Sequence, residues 1–367
     1  MKALSCILFL LCVFPGFIPG EDIKIDFDRA RQLFQREHSG GALTGEETTY
    51  LDEAKRQRNA QSRPEAGRPE LPGNTPPSAA AKGLVPLTEL SGDYHGRDGG
   101  LYGGGKNEVP VAQQALATKA RVEIKPLDAD GKPRASGKIV MISLGMSNTT
   151  NEFSRFVPLA NADPRKAGNV TIVDCAQGAQ TAHVWADASA RAWSVAEDRL
   201  KQAGVAASQV QVVWIKQANA GPRDGTDTEI KRLQDDMEKI VLNVKQKYPN
   251  IHLAFLSSRI YAGYAQTSLN PEPYAYEGAF AMRGLIQKQM SGDATLGVEK
   301  APVLLWGPYL WAAGTTPRKA DGLTWSPEDF SGDGTHPGPA GREKVAKLLL
   351  DFFTGDSNAN PWFVKHD

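Results

Sequence analysis

The amino-acid sequence predicts an α/β protein, a three-layer α/β/α sandwich around a mainly parallel five-stranded sheet. Three observations carry that prediction. Beyond Arg134, short apolar runs alternate regularly with longer segments of helical pattern. The runs are rich in branched residues and bounded by loop residues, as buried parallel strands are. The intervening segments show one apolar stripe at helical spacing.

The expected strands are residues 139–144, 170–173, 210–215, 253–256 and 303–306. Between the third and fourth, residues 228–247 place Ile230, Leu233, Met237, Ile240, Val241 and Val244 on one face, with Asp and Lys residues on the other. Residues 340–353 repeat the design with Val345, Leu348, Leu349 and Phe352. Units of this kind build a parallel sheet flanked by helices, and a site in such a sheet belongs at the carboxyl ends of its strands.

Ahead of this domain the chain changes character several times. Residues 1–20 combine Lys2, an apolar run from Ala3 to Phe14 and helix breakers before Glu21, which reads as a secretory signal. The run is shorter than the roughly 20 residues that span a bilayer, and no later segment is long enough; a retained anchor is the rival reading. The expectation is an exported protein, periplasmic or extracellular, without a transmembrane segment. Residues 21–60 read as a helical hairpin, with segments 23–36 and 46–58 helical and Thr44 and Glu47 at capping-box spacing. Residues 61–90 form a Pro/Ala-rich linker, with its densest stretch at 63–82, and 91–137 a Gly-rich lead-in. Gly100, Gly105 and Lys106 fall at phosphate-loop spacing, but Asn107 replaces the required Ser/Thr and no strand and helix frame the loop. The α/β domain then spans 138–355 and a tail 356–367.

Composition narrows the function. In 367 residues, 42 Lys+Arg balance 42 Asp+Glu, which removes the net positive field most nucleic-acid binders use. Of three cysteines, Cys6 and Cys12 lie in the signal, so Cys175 has no internal partner and reads as a small buried residue. The histidines lack the paired spacing of zinc sites, and no metal or other cofactor is expected.

Four loops carry the chemistry. Gly145-Met146-Ser147-Asn148 follows the first strand, Gly178 the second and Gln217-Ala218-Asn219-Ala220 the third, while Asp333-Gly334-Thr335-His336 precedes the last helix. A serine at a strand end, with an Asp and a His three apart in a tight loop, suits a nucleophile, its base and the group that orients the base. In their order these blocks resemble those of the SGNH hydrolases, also called GDSL esterases and lipases, over about 138–353. The resemblance implies Ser147 as nucleophile, His336 as general base and Asp333 as its orienting carboxylate. It also implies an oxyanion hole from Gly178 and Asn219, joined by the Ser147 N–H. Met146 and Gln217-Ala218-Asn219-Ala220 depart from the family's Gly-Asp-Ser and Gly-x-Asn-Asp without removing any of these groups.

Polar and aromatic residues near these blocks suggest a sugar-bearing substrate. Asn148, Arg259, Tyr261, Glu277 and Trp311 are expected to contact it, because rings beside polar groups stack on sugars and bond their hydroxyls. The expected partner is an ester, with an acylated glycan favoured. The expected activity is that of a secreted serine ester hydrolase, in one form a carbohydrate acetyl esterase; the alternative is a catalytically silent glycan-binding or cell-surface protein of the same fold.

Overall fold

The computed structural model describes residues 26, 29, 30, 33, 36, 43–51, 54 and 71–365. The expected signal, most of the hairpin and residues 61–70 lie outside the described residues. The chain divides into two compact units, Met1–Arg63 and Pro64–Asp367. In the first, residues 45–51 are helical, and their start has the expected capping exchange. The Thr44 N–H donates to Glu47 Oε2 at 2.9 Å and the Glu47 N–H to Thr44 Oγ1 at 3.2 Å. Ala30, Leu33, Leu51 and Ala54 bury one another nearby.

The second unit holds the predicted sheet: β1 Ile139–Gly145, β2 Val170–Asp174, β3 Val210–Lys216, β4 Leu253–Ser257 and β5 Val303–Trp306. All neighbours pair in parallel, in the order β2-β1-β3-β4-β5. Every residue of β1, β3, β4 and β5 is buried, which explains why the runs are predominantly apolar. Two helices close one face: α2, Ser147–Ala162, packs on α7, Pro339–Gly355. On the other lie α3 (Ala182–Ala186), α4 (Arg191–Gln202), α5 (Thr226–Lys247) and α6 (Tyr274–Met290), with α5 against α3 and α6. The fold class is therefore the predicted one. The chain steps outward from β1 to β2 and then back past β1 to β3, so a crevice opens between the ends of β1 and β3.

The lead-in is part of this body. Helix α1, Val111–Val122, packs on β5, where Gln113 Nε2 donates to the Leu304 carbonyl at 2.8 Å. Leu71 and Leu87 are buried, and the Ser78 N–H donates to the Gly263 carbonyl at 2.7 Å. From residue 71 on, the stretch expected as a free linker is thus docked on the domain: a few apolar residues among prolines suffice to anchor it. The Gly-rich turn is a structural strap. Arg283 Nη1 donates to the Asp98 carbonyl at 2.7 Å, and Asn107 accepts from the Leu101 N–H and donates to the Thr88 carbonyl. No helix among the described residues is long and apolar enough to cross a membrane.

Candidate active site

The nucleophile loop is built by close packing. Gly145 ends β1, and a Cβ there would lie 2.2 Å from Thr149 Oγ1 and 2.5 Å from the Lys216 carbonyl, so only glycine lets the chain turn directly into α2. Ser147 becomes the first residue of that helix, half-buried, at the end where unpaired N–H groups and the helix dipole favour negative charge. Met146 packs on Ala218 and Tyr274. The residue that departs from the resembled motif is thus matched by an apolar neighbour on the third loop.

The last loop brings the base to the serine. Gly334 has φ 65°, and a Cβ would lie 1.9 Å from the Tyr264 carbonyl, so the tight turn between Asp333 and His336 requires glycine. His336 Nε2 lies 2.7 Å from Ser147 Oγ, and Nδ1 lies 2.6 Å from Asp333 Oδ2. Since a carboxylate can only accept, Nδ1 carries the proton toward Asp333 and Nε2 is left to accept from the serine hydroxyl. Asp333 Oδ1 accepts the N–H groups of Thr335 and His336 at 3.0 and 2.9 Å. Burial would raise the Asp333 carboxyl, but His336 and these N–H groups outweigh it and hold the group down at about 2.

The second and third loops are stitched beside the first. The Gln177 N–H donates to the Gly145 carbonyl at 3.0 Å, and the Ala182 N–H to the Ala218 carbonyl at 3.0 Å. Gly178 is exposed, and its N–H donates to no carbonyl among the described residues. Asn219 is 6% exposed and fixed in orientation: its Oδ1 accepts the His183 N–H at 2.8 Å and its Nδ2 donates to Asp236 Oδ2 at 2.8 Å. One amide hydrogen of Asn219 remains for another acceptor.

The residues expected to contact substrate are corrected. Asn148, Arg259, Tyr261 and Glu277 are each 2–3% exposed and Trp311 is fully buried, so none presents a surface to a ligand. Asn148 Nδ2 donates to the Thr335 carbonyl at 2.9 Å. Glu277 accepts from Tyr94 at 2.8 Å, and Trp311 Nε1 donates to Glu272 at 2.7 Å. Tyr261 meets Tyr264 and Trp311 edge-on. The loops after β4 and β5 fold inward and extend the main core with aromatic rings at the strand ends, and composition alone does not separate that arrangement from a pocket lining.

Several further groups support these loops. Asp174, at the end of β2, accepts from Ser143 Oγ at 2.5 Å and from Thr150, which ties the first two loops together. The Trp185 indole donates to the Gly145 carbonyl at 3.3 Å. Under α2, Lys216 Nζ lies 2.5 Å from Glu152 Oε2, and both side chains are buried. Burial pulls the Lys216 ammonium down, to about 8, against the attraction of Glu152. Cys175 is buried as expected, and burial pushes its thiol up to about 12.

No family model matches the sequence, and no curated protein matches it. Solved structures give distant likenesses. A Bacteroides fragilis protein described as a candidate acylhydrolase is 13% identical, over 67% of this chain and 95% of that one, with TM-score 0.33. The periplasmic domain of a Salmonella lipopolysaccharide acetyltransferase is 11% identical, over 65% and 95%, with TM-score 0.33. A Bacillus subtilis protein is 12% identical, over 62% of this chain and 60% of that one, again with TM-score 0.33. At such distances the chemistry of the site rests on this chain's own atoms.

Proposed function

We propose that the protein is a serine ester hydrolase of the SGNH type, exported by its N-terminal signal, with Ser147, His336 and Asp333 as its triad. The observation that supports this reading most directly is the pair of contacts at 2.7 and 2.6 Å that links serine, imidazole and carboxylate in one line. Neutral His336 takes the Ser147 proton on Nε2 as Oγ attacks the ester carbonyl. Asp333, ionised down to about pH 2, holds the ring and stabilises the imidazolium. The carbonyl oxygen becomes an oxyanion, met by the N–H groups of Ser147 and Gly178 and by the free hydrogen of the Asn219 amide. When the carbon–oxygen bond to the alcohol breaks, His336 returns the proton to the departing alkoxide. Water then repeats the sequence on the acyl-serine and frees the acid.

The substrate is proposed as a short acyl ester. Gly178, Ala179, Ala220 and Gly332 are small exposed positions in the second, third and last loops and leave room for a bulky alcohol, while Arg223 and Asp224 are exposed further along the third loop. With the expected sugar contacts buried, a glycan is one alcohol among several to be assayed. Turnover of short-chain aryl esters by wild type, with loss of at least about 10³-fold in Ser147→Ala and His336→Ala, is the expected result. Equal rates in all three proteins would refute the assignment.

A further inference from the structure

We infer that Asn270 and Arg259 are positioning residues that lock the oxyanion loop to the loop carrying the general base. This deepens the serine hydrolase reading and rests on it. Asn270 is fully buried, with φ 52°, a left-handed conformation that asparagine tolerates better than most residues. Its amide is placed with Nδ2 facing the carbonyls of Asn219 and Gly221 at 2.9 and 3.2 Å and Oδ1 facing Arg259 Nη1 at 3.2 Å. The opposite placement would set oxygen against two carbonyls and nitrogen against a guanidinium, for the return of one 3.4 Å contact from the Gly221 N–H.

From Arg259 the chain of contacts continues. Nη2 lies 3.5 Å from the Thr335 carbonyl, which also accepts from Asn148 Nδ2 at 2.9 Å. Asn148 adjoins Ser147, and Thr335 adjoins His336. One buried polar network therefore runs from the Asn219 main chain through Asn270, Arg259 and Thr335 to the residue beside the nucleophile. The carboxylates of Glu152, Glu272 and Asp333 lie near enough to offset the buried charge of the guanidinium, and its hydrogen-bonding groups are directed at the loops. The guanidinium is buried with its Nε unpartnered, which costs stability, while its two Nη groups face the two loops. Lysine, a single point of charge, cannot bridge both acceptors.

The test uses the full chain with an aryl acetate and fluorophosphonate titration of reactive serine, in Asn270→Gly and Arg259→Lys. Glycine keeps the left-handed backbone and deletes only the side chain. The expected result is that kcat per titrated site falls roughly 10–100-fold with KM within about threefold, since small misplacements cost rate more than binding. A merely structural role would lower titratable sites and turnover together and leave the rate per site unchanged, and that overturns the inference. Should Asn270→Gly fail to fold, Asn270→Asp keeps the shape and the acceptor toward Arg259 but loses the donors to Asn219 and Gly221, and the same fall in rate per site is expected. If wild type neither labels nor turns over, the hydrolase reading fails separately. The network is then judged by the NMR resonance of the His336 Nδ1 proton, which moves in Arg259→Lys if the inference holds and stays in place if it does not.

Discussion

Replacing Asn219 by alanine tests the oxyanion assignment, and the structure splits its effect into two parts. The amide spends its oxygen on the His183 N–H and one hydrogen on Asp236, leaving one hydrogen for the transition state. Loss of an oxyanion donor typically costs about 3–4 kcal/mol of transition-state stabilisation, or 10²–10³ in kcat. Asn219→Ala also leaves the buried Asp236 carboxylate short of a partner, a stability cost of about 1–3 kcal/mol. Asp236→Ala supplies the control: it breaks the same 2.8 Å bond and lowers stability by a similar amount, but leaves the donor in place. The assay pairs urea unfolding with kcat for an aryl acetate. Asn219→Ala should lose at least about 100-fold in kcat and Asp236→Ala no more than about 10-fold, with KM little changed in both. Equal losses of kcat in the two variants would refute the donor role.

Three further outcomes follow from buried groups. Lys216→Met strands Glu152 in the core and should cost about 3–5 kcal/mol by chemical denaturation, while the double variant Glu152→Leu/Lys216→Met should recover most of it. A single-variant cost under about 1 kcal/mol would contradict the pairing. Burial lowers the His252 imidazole from 6.5 to about 4. Between those values the unfolded chain binds more protons, so stability is complete above about pH 6.5 and declines as pH falls toward 4. Solvent access reduces the full linkage value to roughly 1–2 kcal/mol, and His252→Gln should flatten that part of the stability profile. Cys175 should resist alkylation at pH 8 in the native protein and react on unfolding; native reactivity would show that its surroundings are open.

The sheet was legible because burial on both faces leaves β1, β3, β4 and β5 as predominantly apolar runs, and each strand was placed to within about a residue at either end. Helix α5 was legible from its stripe, yet the same stripe holds Asp236, buried between Leu233 and Met237. An acid inside an apolar face was the available signal for the partner of Asn219. Ser147 and His336 were readable as local motifs, and their 2.7 Å approach is made by the last loop, which follows β5 and reaches back across the strand ends to β1, the second strand of the sheet. The fate of Arg259, Tyr261 and Trp311 was not readable, since aromatic and polar residues on post-strand loops have the same composition whether they line a cleft or pack on one another. The Asn270 network was hidden for a related reason: its links run between main-chain carbonyls and side chains distant in sequence, and such links leave no spacing pattern.

The central claim is that His336 activates Ser147 toward an acyl group. Its most direct test is peptide mapping after reaction with a fluorophosphonate. The account predicts one label per chain on Ser147, with labelling strongly slowed in His336→Ala. Absence of label from folded wild-type protein, or label on another residue, would contradict it.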